Sequence, residues 1–311
     1  MSGWTLSDMP SQAGRSAIVT GTGGLGFEDA LALARAGAEV IVAGRNPDKG
    51  AAALARIRQA VPEATVTFEP LDLASLASVA AFAERMAGSR DRIDILINNA
   101  AVMAPPTRQV SADGHELQFA TNYLGHVALT ARLLPLLRRA DAPRVVSLSS
   151  VAARGGRIVF DDLQGERAYR PMAAYSQSKL ACLIFALELQ RRSEAGGWGL
   201  ASLAAHPGVA RTDLLPNGAG PRSFAGLART YLWFLFQPAD RAALPTLFAA
   251  TAPEAAGGAY YGPVRLSETR GAPGPARVPT PALDAAAAAR LWEVSERLAG
   301  VSFDASAEAP R

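Results

Sequence analysis

The chain has 311 residues, of which 49% are hydrophobic and 19% charged, a composition typical of a well-buried globular protein and not of a disordered one. Its formal net charge is only +3 and its arginines are scattered without interleaved aromatic residues, so no nucleic-acid partner is expected. The single cysteine, Cys182, excludes an internal disulfide and fits a reducing compartment, and three distant histidines offer no metal-ligand spacing.

Two further features bear on location. Residues 1–15 are polar and lack the apolar core of a signal peptide. The longest aromatic run, residues 231–236, is too short to cross a bilayer. We therefore expect a cytoplasmic protein without a membrane span.

Apolar runs of strand length alternate with alanine-rich stretches of helical periodicity through residues 1–210. Strands are predicted at Ser16–Thr20, Glu39–Ala43, Thr65–Phe68, Ile93–Ile97, Arg144–Leu148 and Leu200–Ala205. Helices are predicted at Gly24–Ala36, Pro47–Ala60, Ser75–Ala87, Asp113–Arg139 and Tyr169–Arg192. This alternation predicts an α/β protein with a Rossmann-type, doubly wound parallel sheet in a single domain.

The pattern changes after the last predicted strand. Residues 211–225 are rich in proline, glycine and asparagine and precede the aromatic run. Because this segment leaves the carboxyl edge of the sheet, where such folds bind ligands, we expect residues 211–240 to form a substrate-binding lid. Its aromatic residues would roof an apolar pocket or pack in the core. Residues 265–311 form a C-terminal extension, loop-like at 265–280 and helical at 281–298.

The first predicted strand leads into a glycine-rich loop and then a helix. Glycines in such a loop let the backbone turn tightly and approach a pyrophosphate at the helix N-terminus. A plain turn is the alternative, but the order strand, loop, helix, strand favours dinucleotide binding. The residues expected to contact the cofactor here are Gly21, Thr22, Gly23, Gly24, Leu25 and Gly26.

The end of the second predicted strand bears on the choice between NAD and NADP. An NAD enzyme usually places Asp or Glu there to bind the ribose hydroxyls. This chain has Gly44-Arg45-Asn46 instead, and the guanidinium of Arg45 could accept a 2′-phosphate. The pattern favours NADP(H) over NAD(H), with a solvent-directed Arg45 as the alternative.

A tyrosine and a lysine four residues apart suggest acid–base chemistry. Lys179 is one of only two lysines among 31 basic residues, and it shares a helical face with Tyr175. A free phenol loses its proton near pH 10, and a nearby compact cation lowers that pKa. The pair predicts an activated proton donor and acceptor, although alone it could equally be a solvated helix face.

Other short segments occur in a recognisable order. They are Leu71-Asp72-Leu73, Asn98-Asn99-Ala100-Ala101, Val145–Ser150 and His206-Pro207-Gly208. With the glycine loop and Tyr-x-x-x-Lys, they resemble the short-chain dehydrogenase/reductase family over residues 16–212. The segments Thr121–His126, Phe160–Gln164, Ala174–Leu180 and Trp292–Glu296 most resemble its retinol-dehydrogenase-like branch.

The resemblance implies four catalytic roles. Tyr175 would act as the general acid in reduction and the base in oxidation, and Lys179 would hold the nicotinamide ribose and lower the pKa of Tyr175. Ser150 would hydrogen-bond the substrate oxygen, with Ser149 as the alternative. Asn122 would anchor a water that links Lys179 to solvent, unless it is an exposed helix residue.

The resemblance also implies cofactor contacts. Asp72 and Leu73 would face the adenine, unless Asp72 caps the following helix, and Asn98 would face the adjoining ribose. Thr212 would lie at the nicotinamide end. The other expected contacts are Asn46, Asn99, Ala100, Pro207, Gly208 and Val209. Two departures stand out: the first two glycines of the loop are one residue closer than usual, and Ala101 replaces a glycine.

The implied reaction is NADP-dependent interconversion of a lipophilic ketone or aldehyde and its alcohol by hydride transfer. Reduction of a carbon–carbon double bond on the same fold is one alternative, and a non-catalytic dinucleotide-binding sensor is another. The expected partner is a small-molecule substrate. A homodimer or homotetramer would pair the helices of Asn122 and Tyr175, unless the 25-position spacing from Ser150 to Tyr175 reflects an insertion that covers that face.

Overall fold

The predicted parallel sheet is present and extends beyond the expected strands. The computed structural model describes residues 3–209 and 237–303. Its strands are β1 Ser16–Thr20, β2 Glu39–Gly44, β3 Val66–Pro70, β4 Ile95–Asn98, β5 Arg144–Leu148, β6 Ala201–Ala205, β7 Tyr260–Arg265 and β8 Arg270–Pro275. The sheet order is β3-β2-β1-β4-β5-β6-β7-β8, and only β8 runs antiparallel to its neighbour in this part of the chain. The order reverses between β1 and β4, which creates the crevice where such sheets bind ligands.

Helices cover both faces of the sheet. They are α1 Gly24–Arg35, α2 Pro47–Ala60, α3 Leu76–Ser89, α4 Gly125–Leu137, α5 Pro171–Gly196, α6 Ala239–Ala242, α7 Leu244–Thr251 and α8 Ala285–Ala299. One apolar core lies between the sheet and α3, α4, α5 and α8, and the other lies under α1, α2 and α7. The prediction of a doubly wound α/β fold is confirmed.

Two predictions of local structure are wrong. The expected helix Asp113–Arg139 begins only at Leu117 and continues through a π-helical turn at Phe119–Leu124, because Gly114 adopts a left-handed φ of 84° within the preceding turn. Residues 270–275, expected as loop, form the edge strand β8. Proline and glycine obscured this strand, but its outer side needs no ladder hydrogen bonds and therefore tolerates Pro273 and Pro275.

Helix α8 lies across α4 and α5. The hydroxyl of Tyr123, just before α4, hydrogen-bonds Ser295 of α8 at 2.7 Å. The ring of Trp292 stacks on Phe185 of α5 with centroids 5.7 Å apart, and Phe303 packs against Trp292 at 4.4 Å. The C-terminal extension therefore belongs to the main core.

The expected lid at 211–240 falls mostly outside the described residues. The residues on either side of 210–236 are adjacent, because the backbone N–H of Gln237 donates to the carbonyl of Val209 at 3.0 Å. Among the described helices, none combines the length and hydrophobicity that a bilayer crossing requires.

Candidate active site

The glycine loop is shaped as a phosphate cradle. It spans the turn between β1 and α1, and Gly21 has a left-handed φ of 103°. A Cβ on Gly21 or Gly26 would lie 2.8 or 2.6 Å from Nδ2 of Asn99, so both positions require glycine. A Cβ on Gly23 would meet no atom within 4 Å. The loop is therefore closely packed at Gly21 and Gly26 and open at Gly23. The open side lies next to the first turn of α1, whose backbone N–H groups could bind a pyrophosphate.

Thr20 connects the glycine loop to the end of β4. Its Oγ1 accepts hydrogen bonds from the backbone N–H groups of Asn99 and Ala100, both at 2.9 Å. Asn99 Nδ2 donates in turn to the carbonyl of Thr20 at 2.6 Å. Asn99 and Ala100, expected to contact the cofactor, thus support the glycine loop through Thr20, to which the motifs gave no role.

The end of β2 leaves a cation exposed beside the cradle. A Cβ on Gly44 would come 2.8 Å from Cγ2 of Thr22, so Thr22 lies directly over the end of this strand. Arg45 follows and is exposed. The side-chain oxygen of Asn46 accepts from the backbone N–H of Lys49 at 2.9 Å and caps α2. Arg45 is therefore the side chain of this turn that is free to meet a ribose phosphate.

Asp72 does not cap the next helix. Ser75 does so, accepting from the N–H of Ser78 at 3.3 Å, whereas Asp72 accepts from Ala74 within its own turn at 3.0 Å. Asp72 is half-buried at the carboxyl edge of the sheet, just after β3, while Leu73 is buried against α4.

Asn98, expected to face the ribose, has its side chain turned into the protein. Asn98 is buried, and its Nδ2 donates to Oγ1 of Thr130 on α4 at 3.0 Å. Alternate side chains of a strand point to opposite faces, and that of Asn98 points into the layer below α4. It lines a small cavity of about 10 Å³ with Asn122, His126 and Ser147.

Asn122 is buried and is not an exposed helix residue. Its Oδ1 accepts from the N–H of Val102 at 2.7 Å, and its Nδ2 donates to the carbonyl of Val102 and to Oγ of Ser178, both at 2.9 Å. Its own carbonyl lies in the π-helical turn and accepts from Cys182 Sγ at 3.1 Å. Asn122 therefore holds the loop after β4 against α5.

A neutral histidine joins the cradle to Asn122. His126 has Nδ1 2.9 Å from the Asn122 carbonyl and Nε2 2.9 Å from Oγ1 of Thr20. The carbonyl can only accept, so Nδ1 carries the proton and Nε2 accepts from the Thr20 hydroxyl. Burial lowers the pKa of His126 to about 4. The resulting chain of hydrogen bonds links the dinucleotide loop to the catalytic side of the site.

Ser150, and not Ser149, faces Tyr175. The hydroxyl of Ser149 is turned into the protein, where it donates to the carbonyl of Lys179 at 2.7 Å. Ser150 caps the short 3-10 helix Val151–Gly155, and its hydroxyl hydrogen-bonds the phenol of Tyr175. The structure thus brings the predicted serine and tyrosine together at the carboxyl end of β5.

The protonation of Tyr175 differs from the expectation. Burial raises its pKa to about 12, and the hydrogen bond with Ser150 opposes this rise only in part. Lys179 is also buried, burial lowers its pKa, and its Nζ donates to the carbonyl of Leu148 at 2.9 Å. The predicted lowering of the phenol pKa by Lys179 is therefore wrong for this structure, because loss of hydration outweighs any attraction. At neutral pH the phenol carries its proton.

The turn after β6 lies at the same edge of the sheet as the glycine loop and Ser150. Gly208 has a left-handed φ of 68°, and a Cβ there would overlap the carbonyl of Thr269. Val209 donates to that same carbonyl at 2.9 Å, which fixes the turn against the β7–β8 hairpin. Thr212 lies outside the described residues. The cradle, the Ser150 turn and the His206-Pro207-Gly208 turn all follow parallel strands and therefore share one edge of the sheet.

Comparison with known proteins agrees with this geometry. The family model for short chain dehydrogenase matches residues 15–219. Retinol dehydrogenase 13 of Mus musculus is 40% identical over 304 residues, covering 94% of this chain and 87% of that protein. Polyprenol dehydrogenase of Danio rerio is 37% identical over 303 residues, covering 95% and 90%.

A solved structure from Beutenbergia cavernae shares the fold. It is described as an NAD(P)-dependent gluconate 5-dehydrogenase with NADP bound at low occupancy. It is 27% identical, with a TM-score of 0.60, and the match covers 78% of this chain and 91% of that one. The chain therefore belongs to the short-chain dehydrogenase/reductase family, in its retinol-dehydrogenase-like branch, and is an NAD(P)-dependent oxidoreductase.

Proposed function

We propose that this protein reduces a lipophilic ketone or aldehyde to its alcohol with NADPH, and runs in reverse with excess NADP. The observation that carries the proposal is the buried, protonated phenol of Tyr175, hydrogen-bonded to Ser150 at the sheet edge that holds the glycine cradle. A fixed proton donor beside a dinucleotide site is what carbonyl reduction requires.

The bound dinucleotide would supply a hydride to the carbonyl carbon. Ser150 and Tyr175 would both hydrogen-bond the carbonyl oxygen and stabilise the negative charge that develops on it. Tyr175 would then give its proton to that oxygen, so that the C=O group becomes CH–OH. Asn122 and Lys179 would support this step, Asn122 through the loop and helix contacts described above and Lys179 at the nicotinamide ribose.

The raised pKa of Tyr175 suits the role of proton donor that reduction requires. A phenol whose pKa is raised to about 12 holds its proton at neutral pH and is ready to act as an acid. The base needed for alcohol oxidation would be scarce under the same conditions.

The substrate class is proposed from the relatives. Retinol and polyprenol dehydrogenases are named for long apolar alcohols, and both match nearly the whole chain. A bulky lipophilic carbonyl compound is therefore the expected substrate, and activity confined to small polar ketones would contradict this. A cytoplasmic location, expected from the single cysteine, stays a prediction.

Replacing Tyr175 by Phe tests the chemistry. Because Tyr175→Phe removes the proton donor and leaves the ring, we expect at least a thousandfold lower kcat with nearly unchanged NADPH affinity. Oxidation of NADPH, followed by absorbance at 340 nm against a panel of carbonyl compounds, measures the first, and nucleotide fluorescence measures the second. Substantial turnover by Tyr175→Phe would overturn the proposed role. With an α,β-unsaturated carbonyl compound, an unsaturated alcohol as product indicates carbonyl reduction, and a saturated carbonyl compound indicates double-bond reduction.

Replacing Arg45 tests the preference for NADP. A charge-assisted hydrogen bond to phosphate contributes about 1.5–3 kcal/mol, so Arg45→Gln should weaken NADPH binding roughly 10- to 100-fold and leave NADH binding unchanged. The matched control is Arg35→Gln, an exposed arginine at the far end of α1. Equal loss of affinity for both nucleotides would contradict a 2′-phosphate contact.

A further inference from the structure

The turn between β7 and β8 has an uncommon backbone. Leu266, Ser267 and Glu268 have φ values of 47°, 54° and 65°, so three consecutive residues with side chains occupy the left-handed region. Such conformations are disfavoured for residues other than glycine and persist where surrounding contacts hold them. The contacts in this turn centre on one carboxylate.

Both carboxylate oxygens of Glu268 accept hydrogen bonds. Its Oε2 accepts from Nε2 of His206 at 3.0 Å and from Nη2 of Arg154 at 2.5 Å. Its Oε1 accepts from the backbone N–H of Arg277 at 3.0 Å. Arg154 also donates through Nη1 to the carbonyl of Ser267 at 3.2 Å. The side chain of Glu268 is 19% exposed and that of His206 is 0% exposed, so water screens the contact between them little.

The orientation of His206 is fixed by its neighbours. The N–H of Gly208 donates to Nδ1 at 3.2 Å, so Nδ1 accepts and Nε2 carries the hydrogen that Glu268 receives. A Cβ on Gly262 would overlap the imidazole, which packs against Tyr260 with centroids 5.1 Å apart. Burial lowers the pKa of His206 to about 4, so this bond is made by a neutral imidazole at physiological pH.

The two partners of Glu268 belong to different parts of the site. Arg154 lies in the 3-10 helix that Ser150 caps. His206 begins the turn after β6, whose backbone we expect at the nicotinamide end of the cofactor. The hydroxyl of Tyr260 lies 3.5 Å from the Ser150 carbonyl and adds a second, longer contact between the same regions.

We propose that Glu268 is a positioning residue that sets the separation between the Ser150 turn and the His206-Pro207-Gly208 turn. In this role it acts through Arg154 and His206. The inference rests on the proposed function, because the two turns must face each other across the carbonyl and the nicotinamide for hydride transfer. Small shifts of such groups lower the rate of chemistry more than they lower binding.

The test is a double-mutant cycle on Glu268 and Arg154. Glu268→Gln keeps the shape of the side chain but loses its charge, and Arg154→Met keeps the aliphatic stem but loses the donors. We expect each single variant to lower kcat at least tenfold while the NADPH dissociation constant changes less than threefold. Because both changes break the same link, the double variant should have nearly the kcat of either single variant. The control is Glu166→Gln, which removes an exposed ion pair with Arg108 whose atoms are 3.6 Å apart.

Each outcome is decisive. Wild-type protein that binds no nicotinamide nucleotide, or binds it without reducing any carbonyl compound in the panel, rejects the proposed function itself. Active wild-type protein with unchanged kcat in Glu268→Gln overturns the positioning role alone. Additive losses in the double variant also overturn it, because they would show two independent effects. If Arg154→Met fails to fold, Arg154→Leu, which also lacks the donors, replaces it in the same cycle.

Discussion

The hydroxyl of Thr20 joins two parts of the site that the sequence motifs treat separately. It receives the N–H groups of Asn99 and Ala100 on the nucleotide side and donates to Nε2 of His126 on the other. His126 then reaches the carbonyl of Asn122. Every donor and acceptor in this series of hydrogen bonds is buried or half-buried. If one group is removed, water cannot readily replace it as a partner for the others.

Thr20→Val should therefore weaken both the fold and the cradle. Valine has nearly the shape of threonine but cannot bond, so the free energy of unfolding should fall by about 1–3 kcal/mol. NADPH affinity should fall as well, because the loop after β4 loses its attachment. Urea denaturation and nucleotide fluorescence measure the two effects. Thr20→Ser keeps the hydroxyl and should recover most of both; a valine variant with wild-type affinity would contradict the role.

At this scale the sequence predicts which residues matter better than it predicts their environment. Ser150 and Tyr175 meet as expected, because their motifs follow β5 and begin α5. The direction of the Asn98 side chain and the pKa of Tyr175 were not predictable, since both depend on what surrounds the residue in three dimensions. The partners of Glu268 were equally hidden, because they lie 62 and 114 positions away in the chain.

Helix α8 fills a gap between α4 and α5 with aromatic side chains. Trp292 is 3% exposed and contacts both Phe185 and Phe303. Arg192 of α5 lies over the indole, 4.4 Å from the ring centroid. The amphipathic pattern of this helix is readable from the sequence, but the site where it docks is not.

Trp292→Ala should destabilise the protein strongly. Removing a buried aromatic side chain costs about 3–5 kcal/mol, because it forfeits burial and leaves a cavity. Chemical denaturation measures the change, and Glu293→Ala, on the exposed side of the same helix, should stay within about 0.5 kcal/mol of wild type. A small effect of Trp292→Ala would mean that α8 is loosely attached.

Sequence periodicity identifies the elements of the central sheet and fails at its margin. The inner strands β1, β2, β4, β5 and β6 are largely buried because helices cover them, and this gives a strong apolar pattern. Strand β8 lies at the edge and contains Pro273 and Pro275, which in isolation predict a loop. The π-helical turn at Phe119–Leu124 likewise follows from contacts with α5 and α8 and not from helical propensity.

For the whole molecule, the position of α8 limits how subunits could associate. In this family the helices that carry the catalytic asparagine and tyrosine often pair between subunits. Here α8 lies across α4 and α5 in the same chain, with its Ser295 bonded to Tyr123 and its Trp292 stacked on Phe185. A second chain would have to displace this helix to pair through the same face.

We therefore expect the protein to form no oligomer through α4 and α5. Light scattering coupled to size-exclusion chromatography compares the mass in solution with that of one chain, 32.4 kDa. If an assembly is found, crosslinking between α4 or α5 of two chains shows whether these helices form its interface. Larger assemblies held through that face in wild-type protein would contradict the expectation.

The adjacency of Val209 and Gln237 has an evolutionary consequence. Besides their mutual hydrogen bond, the Gln237 side chain donates to the Pro207 carbonyl at 2.6 Å and Val209 donates to Thr269 at 2.9 Å. Both ends of the intervening sequence are thus fastened to a single spot on the framework. A different sequence between these two residues could therefore keep the same points of attachment to the framework.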